Sequence, residues 1–266
     1  TRIIVPSREE ALQQGRLILV AEDNEINQKV IRQQLTLLGH VADVVQDGLD
    51  ALRHWESGDY AMILTDLHMP EMDGYQLTQA IRAAKKGSIH IPIIALTANA
   101  LKGEAERCRA IGMDDYLTKP VQLEQLKQTI QKWLPKHSGI SEDPKLIRQQ
   151  VMSQQVVPVD IRVLQALVGD DPAIIQEFLS DFRTSAQAIH DQLHMAYQQH
   201  QLDQVKAAAH KLKSSARSVG AQILGEWCEN IEQAAKNHDK QSVASLLPPF
   251  DAELQAVKHY LETINL

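Results

Sequence analysis

The sequence predicts an α/β domain followed by an all-α helical bundle. Two observations carry this. Between residues 17 and 134, short apolar runs alternate with segments of helical period, giving five strand–helix units. From Asp160 onward the apolar spacing is helical throughout. A third observation separates the two parts: residues 136–158 are rich in Ser and Gln, with Gly139, Pro144 and Pro158 as punctuation.

In the first part, Leu17–Ala21 reads as a buried strand. A helix follows from about Ile26 to Leu38, where Gly39 stops it. Val41–Val45 is the second strand, with a helix after Gly48. Tyr60–Thr65 is the third strand, followed by a turn through Gly74 and a helix to about Ala84. Ile91–Leu96 is the fourth strand and Leu101–Ile111 its helix. Tyr116–Thr118 and Val121–Leu134 complete the set. Such a series implies a parallel sheet with helices on both faces and ligands at the carboxyl ends of the strands.

The second part opens with a short helix and continues from Asp170-Asp171-Pro172, a helix start with proline in the first turn. Ile175, Phe178, Phe182, Ile189 and Leu193 share one face. Leu202, Val205, Ala209, Leu212, Ala216 and Val219 form a seam, which Gly220 interrupts. A third helix carries Leu224, Trp227, Cys228 and Ile231. A fourth spans Asp239–Ile264, with a kink expected at Pro248-Pro249. This is a four-helix bundle with a short leading helix. The domain plan is therefore an extension over 1–15, the α/β domain over 16–135, a linker over 136–158 with a helical turn around Lys145–Met152, and the bundle over 159–266.

Length and composition agree: 266 residues suit about two domains, and 44% hydrophobic with 23% charged residues is ordinary for a globular chain. A net charge of -7 argues against a general nucleic-acid or membrane-surface binder. Cys108 and Cys228 stand far apart, so neither a disulfide framework nor a zinc knuckle is indicated, and a reducing compartment is expected. No apolar run spans a bilayer and no signal peptide is visible; the chain begins on Thr1, which suits a piece of a longer protein.

Glu22 and Asp23 follow the first predicted strand, Asp66 the third, Thr97 the fourth and Lys119 the fifth. Singly, each reads as a cap, a turn residue or a solvated lysine. Together they converge on one sheet edge. Three carboxylates there repel one another and call for a cation such as Mg2+. Asp66 is then the candidate nucleophile toward phosphorus, with Lys119 offsetting charge and the Thr97 hydroxyl donating to a phosphoryl oxygen.

The strings Leu19-Val-Ala-Glu-Asp-Asn24 with Asn27, Thr65-Asp-Leu-His-Met-Pro-Glu-Met-Asp-Gly74, Ala95-Leu-Thr-Ala-Asn99 and Gly112-Met-Asp-Asp-Tyr-Leu-Thr-Lys-Pro120 resemble the response-regulator receiver family across residues 16–135. The resemblance implies a flavodoxin-like sheet of order 2-1-3-4-5 and a phosphoacceptor at Asp66. Mg2+ would be held directly by Asp23, Asp66 and the main-chain carbonyl of His68, with Glu22 acting through water. It also implies an aromatic switch at Tyr116 and a cis bond at Lys119-Pro120.

On the seam helix, His210 lies beside the apolar stripe. Lys206, Lys213, Ser214 and Arg217 share its face, giving an exposed imidazole in a basic patch. His190, His194, His200 and His238 read as surface residues; His190 and His194 stand four apart, a metal-pair spacing, but lack the His-Glu-x-x-His arrangement. Ala209-His-Lys-Leu-Lys-Ser-Ser-Ala-Arg-Ser-Val-Gly-Ala221 resembles the histidine phosphotransfer family, which usually has Gly where Ser214 stands. Receiver followed by phosphotransfer domain is the tail order of tripartite hybrid sensor kinases. The resemblance implies that a kinase histidine, expected in the same full-length protein, phosphorylates Asp66, and that His210 passes the group to a downstream response regulator. It implies a cytoplasmic setting, as the tail of an inner-membrane sensor. No ATP-binding kinase domain is visible, so this stretch would be the phosphotransfer part of such a transferase.

Two other readings compete with this one. A hydrolase with an aspartyl-phosphate intermediate typically has a second Asp two residues past the nucleophile, where this chain has His68. A pure docking module would not need Asp66, Thr97 and Lys119 together. For docking, Ile26 falls outside the pattern of Val30, Leu35 and Leu38 assigned to the α/β core, and Lys213 and Arg217 are expected to face the acidic cluster.

Overall fold

Short runs rich in apolar residues form the strands, and the three central ones are buried along their whole length, covered on both sheet faces. In this computed structural model the described residues are 5–84, 90–98, 102–134 and 157–264. The α/β part runs α1 (Arg8–Gln13), β1 (Ile18–Ala21), α2 (Glu25–Leu37), β2 (Ala42–Val45), α3 (Gly48–Glu56), β3 (Met62–Asp66), α4 (Gly74–Ala83), β4 (Ile93–Thr97), α5 (Lys102–Ile111), β5 (Asp115–Thr118) and α6 (Leu123–Trp133). All five strands are parallel, in the order β2-β1-β3-β4-β5, the flavodoxin-like order. Alternate residues of the central strands enter opposite cores. Leu19, Ile63 and Ile93 belong to one, and Val20, Leu64 and Ile94 to the other.

Four of the five strands begin slightly later than the hydrophobic runs suggest, and β5 begins one residue earlier, at Asp115. β3 starts at Met62 rather than Tyr60, whose hydroxyl donates to Asp43 instead (2.7 Å). β4 starts at Ile93 rather than Ile91. The expected extension over 1–15 contains α1, capped by a Ser7–Glu10 box and joined to β2 by the bidentate Arg8–Asp43 pair. Six residues are too few to show a period.

The second part runs α7 (Ile161–Val168), α8 (Pro172–Gln198), α9 (Leu202–Val219), α10 (Gln222–Lys236) and α11 (Lys240–Thr263). The expected seam residues of α8 and α9 are all buried in one cluster. Asp171 caps α8 with Pro172 at its first position. α11 continues through Pro248 and Pro249. The linker expectation, including the turn at Lys145–Met152, falls almost wholly outside the described residues, as does Asn99.

The two parts meet through α2. Ile31 and Leu35 cover the sheet. Ile26 (1% exposed) and Val30 (5%) belong instead to the cluster that holds Leu164, Phe178 and Leu212 of the bundle. Val30 is therefore not an α/β core residue as the spacing suggested; helical period defines a face but not what covers it. Leu38 is only half-buried, against the sheet-side core. Full burial of a side chain such as Ile26 contributes roughly 1.5–3 kcal/mol.

Gly220 ends α9 in the left-handed region (φ 87°), where a Cβ would stand 2.1 Å from the Asp160 carbonyl oxygen. Both the backbone conformation and the space demand glycine. Gly220→Ala is expected to destabilise the bundle by about 2 kcal/mol, read as a lowered urea midpoint in circular dichroism. Gly103→Ala, where a Cβ meets nothing within 4 Å, is the control that should show no such loss.

Candidate functional site

The carboxyl ends of β1, β3, β4 and β5 deliver the sequence-marked residues to one edge. Glu22, buried just after β1, accepts from the Asn24 N–H (3.3 Å) and Asn27 Nδ2 (3.2 Å) on Oε1. Its Oε2 contacts Lys119 Nζ at 2.5 Å. Asp66, buried at the end of β3, receives Lys119 Nζ on Oδ2 (2.5 Å) and the His68 N–H on Oδ1 (3.2 Å). Glu22, Asp23 and Asp66 each place a carboxylate oxygen within 4.8 Å of the others. Gly74 opens α4 directly against this strand end; a Cβ there would stand 2.2 Å from the Asp66 carbonyl oxygen.

Thr97 is buried at the end of β4, and its carbonyl accepts from the Lys119 N–H (2.7 Å), which fixes where the lysine departs from β5. The Lys119-Pro120 bond is cis. Tyr116, on β5 opposite Ala95, is half-buried against the core beneath.

Burial raises the Glu22 and Asp23 carboxyls above their usual range, and the neighbouring carboxylates add to it. Burial opposes the Lys119 charge, but Asp66 and Glu22 outweigh it and raise the ammonium's pKa. One buried cation thus lies among three carboxylates, and the surplus is negative.

On the bundle, His210 projects from α9 with 18% of its side chain exposed, and its Nδ1 lies 2.9 Å from Glu232 Oε1. Lys213 is buried, not displayed; its Nζ contacts Glu232 Oε2 at 2.6 Å. Arg217 pairs with Glu229 at 2.7 Å. The expected exposed basic patch is therefore neutralised by α10, and neither cation faces the acidic cluster. Lys206, one turn before His210, is half-buried. Burial works against the Glu232 charge, but His210 and Lys213 prevail and hold its carboxyl down at about 2.

The docked faces bring these two sets together. The His68 and His210 rings lie 5.2 Å apart between centroids, tilted by 52°. Asn24 Nδ2 donates to the Lys211 carbonyl (2.8 Å). Asn27 Nδ2 donates to Ser214 Oγ (2.7 Å), and Ser218 Oγ donates to Asn27 Oδ1 (3.1 Å). Lys29 pairs with Asp181 and Glu177 of α8. Burial lowers the His68 pKa, and nearby His210 lowers it further.

Comparison with known proteins bears on each of the two domains. The model of the response regulator receiver domain matches residues 18–131, and that of the Hpt domain matches residues 177–260. The virulence sensor protein BvgS of Bordetella bronchiseptica is 30% identical over 225 residues, which cover 82% of this chain and 18% of that protein. The sensor histidine kinase RcsC of Escherichia coli is 41% identical over 128 residues, 47% of this chain and 13% of that one. A crystal structure of a sensor histidine kinase receiver domain from Pseudomonas aeruginosa, with magnesium coordinated in its active-site cleft, is 46% identical. It covers 45% of this chain and 97% of its own, with a TM-score of 0.42. The chain thus spans less than a fifth of the curated relatives it matches. It is a two-component signalling protein. In particular, it joins a response regulator receiver domain to an Hpt domain, the pairing of a phosphorelay.

Glu232 escaped the sequence reading because it lies 22 residues from His210, on the next helix, and no local motif marks it. A carboxylate held below its ordinary value binds fewer protons folded than unfolded. Its stabilisation is present above 4.5 and is lost as pH falls from there toward about 2. Urea unfolding of the bundle should therefore steepen its loss of stability through that interval. Glu232→Gln should be less stable than the parent near neutral pH, and the gap should close on acidification.

Proposed function

We propose that Asp66 accepts a phosphoryl group and exchanges it with His210 of the same chain while the receiver domain is docked on the Hpt domain. The observation that carries this reading is the seating of His210 against His68, two residues from Asp66, with Asn24 and Asn27 bound to α9 at Lys211 and Ser214, in the turn that follows the histidine. Phosphoryl transfer needs donor and acceptor aligned through one phosphorus, and rigid docking supplies that alignment.

An ionised Glu232 only accepts hydrogen bonds, so His210 Nδ1 carries the proton and Nε2 keeps its lone pair. In the forward step Nε2 attacks the phosphorus of the Asp66 acyl phosphate. A P–N bond forms, the P–O bond to Asp66 breaks, and the electron pair returns to the carboxylate. Glu232 stabilises the positive ring that results, and Lys119 takes up the charge restored to Asp66. Thr97 would donate its hydroxyl to a phosphoryl oxygen, and Tyr116 would report the phosphorylated state to the β4–β5 side.

The carboxylate set fits Mg2+. Glu22, Asp23 and Asp66 bring carboxylate oxygens within 4.8 Å of one another; as the resemblance to receiver domains implies, Asp23, Asp66 and the His68 carbonyl would be the direct ligands, with Glu22 acting through water. When bound, Mg2+ would neutralise the equatorial phosphoryl oxygens. We place an upstream kinase histidine as the donor to Asp66, in the same full-length protein, and a receiver domain of a separate response regulator as the acceptor from His210. The setting is the cytoplasmic side of a membrane sensor; among the described residues no helix is long and apolar enough to cross a membrane.

Asp66→Asn should abolish Mg2+-dependent labelling by a cognate kinase or by acetyl phosphate without loss of fold. His210→Gln should leave Asp66 labelled, as an alkali-labile acyl phosphate, and should stop onward transfer to any receiver. Normal labelling of the first variant, or onward transfer by the second, would overturn the assignments.

Docking can be tested apart from chemistry. Ile26→Asp puts a carboxylate into the bundle's apolar cluster and should slow Asp66–His210 transfer more than about tenfold, the effect of some 1.4 kcal/mol, while acetyl phosphate still labels Asp66 at the parent rate. Lys29→Glu reverses only the exposed ion pairs with Glu177 and Asp181, so the slowing should be a few-fold at most and should fade with salt. Rapid-quench transfer assays at two ionic strengths read both.

A further inference from the structure

On the bundle's α8–α11 flank, His190 and His194 of α8 converge with Asp251 of α11, on helices other than the one that carries His210. His190 Nε2 lies 3.0 Å and His194 Nε2 2.8 Å from the same Asp251 Oδ1. The three ligand-type atoms fall within 4.8 Å of one another. The imidazole rings are 4.4 Å apart, as expected for residues one helical turn apart on one face. Reading the pair as surface residues missed the carboxylate because it lies on another helix.

From this geometry we propose that His190, His194 and Asp251 form a transition-metal site of the Zn2+ class that ties α8 to α11. Two imidazole nitrogens and one carboxylate oxygen are the donor set of open zinc sites, with water in the fourth position. Mg2+ prefers oxygen ligands alone, so this site and the receiver's acidic edge differ in the metal they select. Tetrahedral ligand atoms around Zn2+ stand roughly 3.3 Å apart. The two nitrogen–oxygen spacings need to widen by only a few tenths of an ångström.

The surroundings hold the donors in place. Asp191 Oδ1 lies 3.0 Å from His190 Nδ1, the ring atom away from the site, and Gln187 Nε2 donates to that same carboxylate (2.8 Å). Lys258 Nζ of α11 donates to Gln187 Oε1 (2.6 Å), closing a second bridge between the two helices. Phe250 stacks on the His190 ring at 5.8 Å. A carboxylate on the outer nitrogen fixes the tautomer that points the Nε2 lone pair at a metal, as outer partners do in known zinc sites. The site takes no part in phosphoryl transfer; its occupancy stabilises the bundle.

The test is a Zn2+ titration of the full chain by calorimetry in excess Mg2+, with Co2+ as a spectroscopic probe. One saturable Zn2+ per chain is expected, with visible d–d bands for Co2+ and a raised bundle melting temperature. His194→Ala and Asp251→Ala should each weaken binding at least about 100-fold, and Asp191→Asn about tenfold. Asp66→Asn should leave the titration unchanged, which separates this site from the receiver's. His194→Gln, closer in size, keeps the fold comparison sound: its metal-free melting should match the parent and its Zn2+-dependent rise should vanish. Absence of saturable micromolar binding, or binding that survives either His194 or Asp251 substitution, would overturn the proposal.

Discussion

Everything in the arrangement depends on one helix buried from two sides. α2 gives Ile31 and Leu35 to the receiver's sheet and Ile26 and Val30 to the bundle's core. Its first turn also bounds the acidic edge. Asn24 caps the helix and reaches the Lys211 carbonyl, while Asn27 holds both Glu22 and Ser214. The residues that shape the carboxylate cluster are thus the ones that grip α9. A shift of α2 that misplaced the acidic edge would misplace its contacts with α9 too, so the alignment of the acidic edge with the histidine's helix is built into the packing.

The site also shows one residue type driven in opposite directions. Glu22 is buried among like charges, and its carboxyl rises; Glu232 is half-buried between His210 and Lys213, and its carboxyl falls. The first favours recruitment of positive charge. The second keeps an anion against the His210 ring. Environment alone thus sets the two glutamates apart.

Much of this was legible in the sequence. Strand ends place Glu22, Asp23, Asp66, Thr97 and Lys119 on one edge because a parallel sheet sends every carboxyl end the same way. The α9 seam was legible because a bundle core repeats at helical spacing. What failed has a common cause. Val30, Lys213, Arg217, Glu232 and Asp251 all owe their surroundings to a different helix, and period along one helix says nothing of its neighbour's register. The basic patch expected around His210 therefore met α10's glutamates, and the His190–His194 pair met α11's aspartate. α1 was hidden for another reason, being too short for any period to show.

The face of α9 that α2 covers is the face that carries His210. Any other receiver offering equivalent contacts can occupy it only after the first has lifted away. Covalent attachment typically holds a partner at a local concentration of roughly millimolar, and that competitor does not dilute. The second leg of such a relay would then be set by how often the internal dock opens, and the abundance of the outgoing regulator would matter only during those openings. Two stations on one chain therefore act as a turnstile, admitting one receiver at a time.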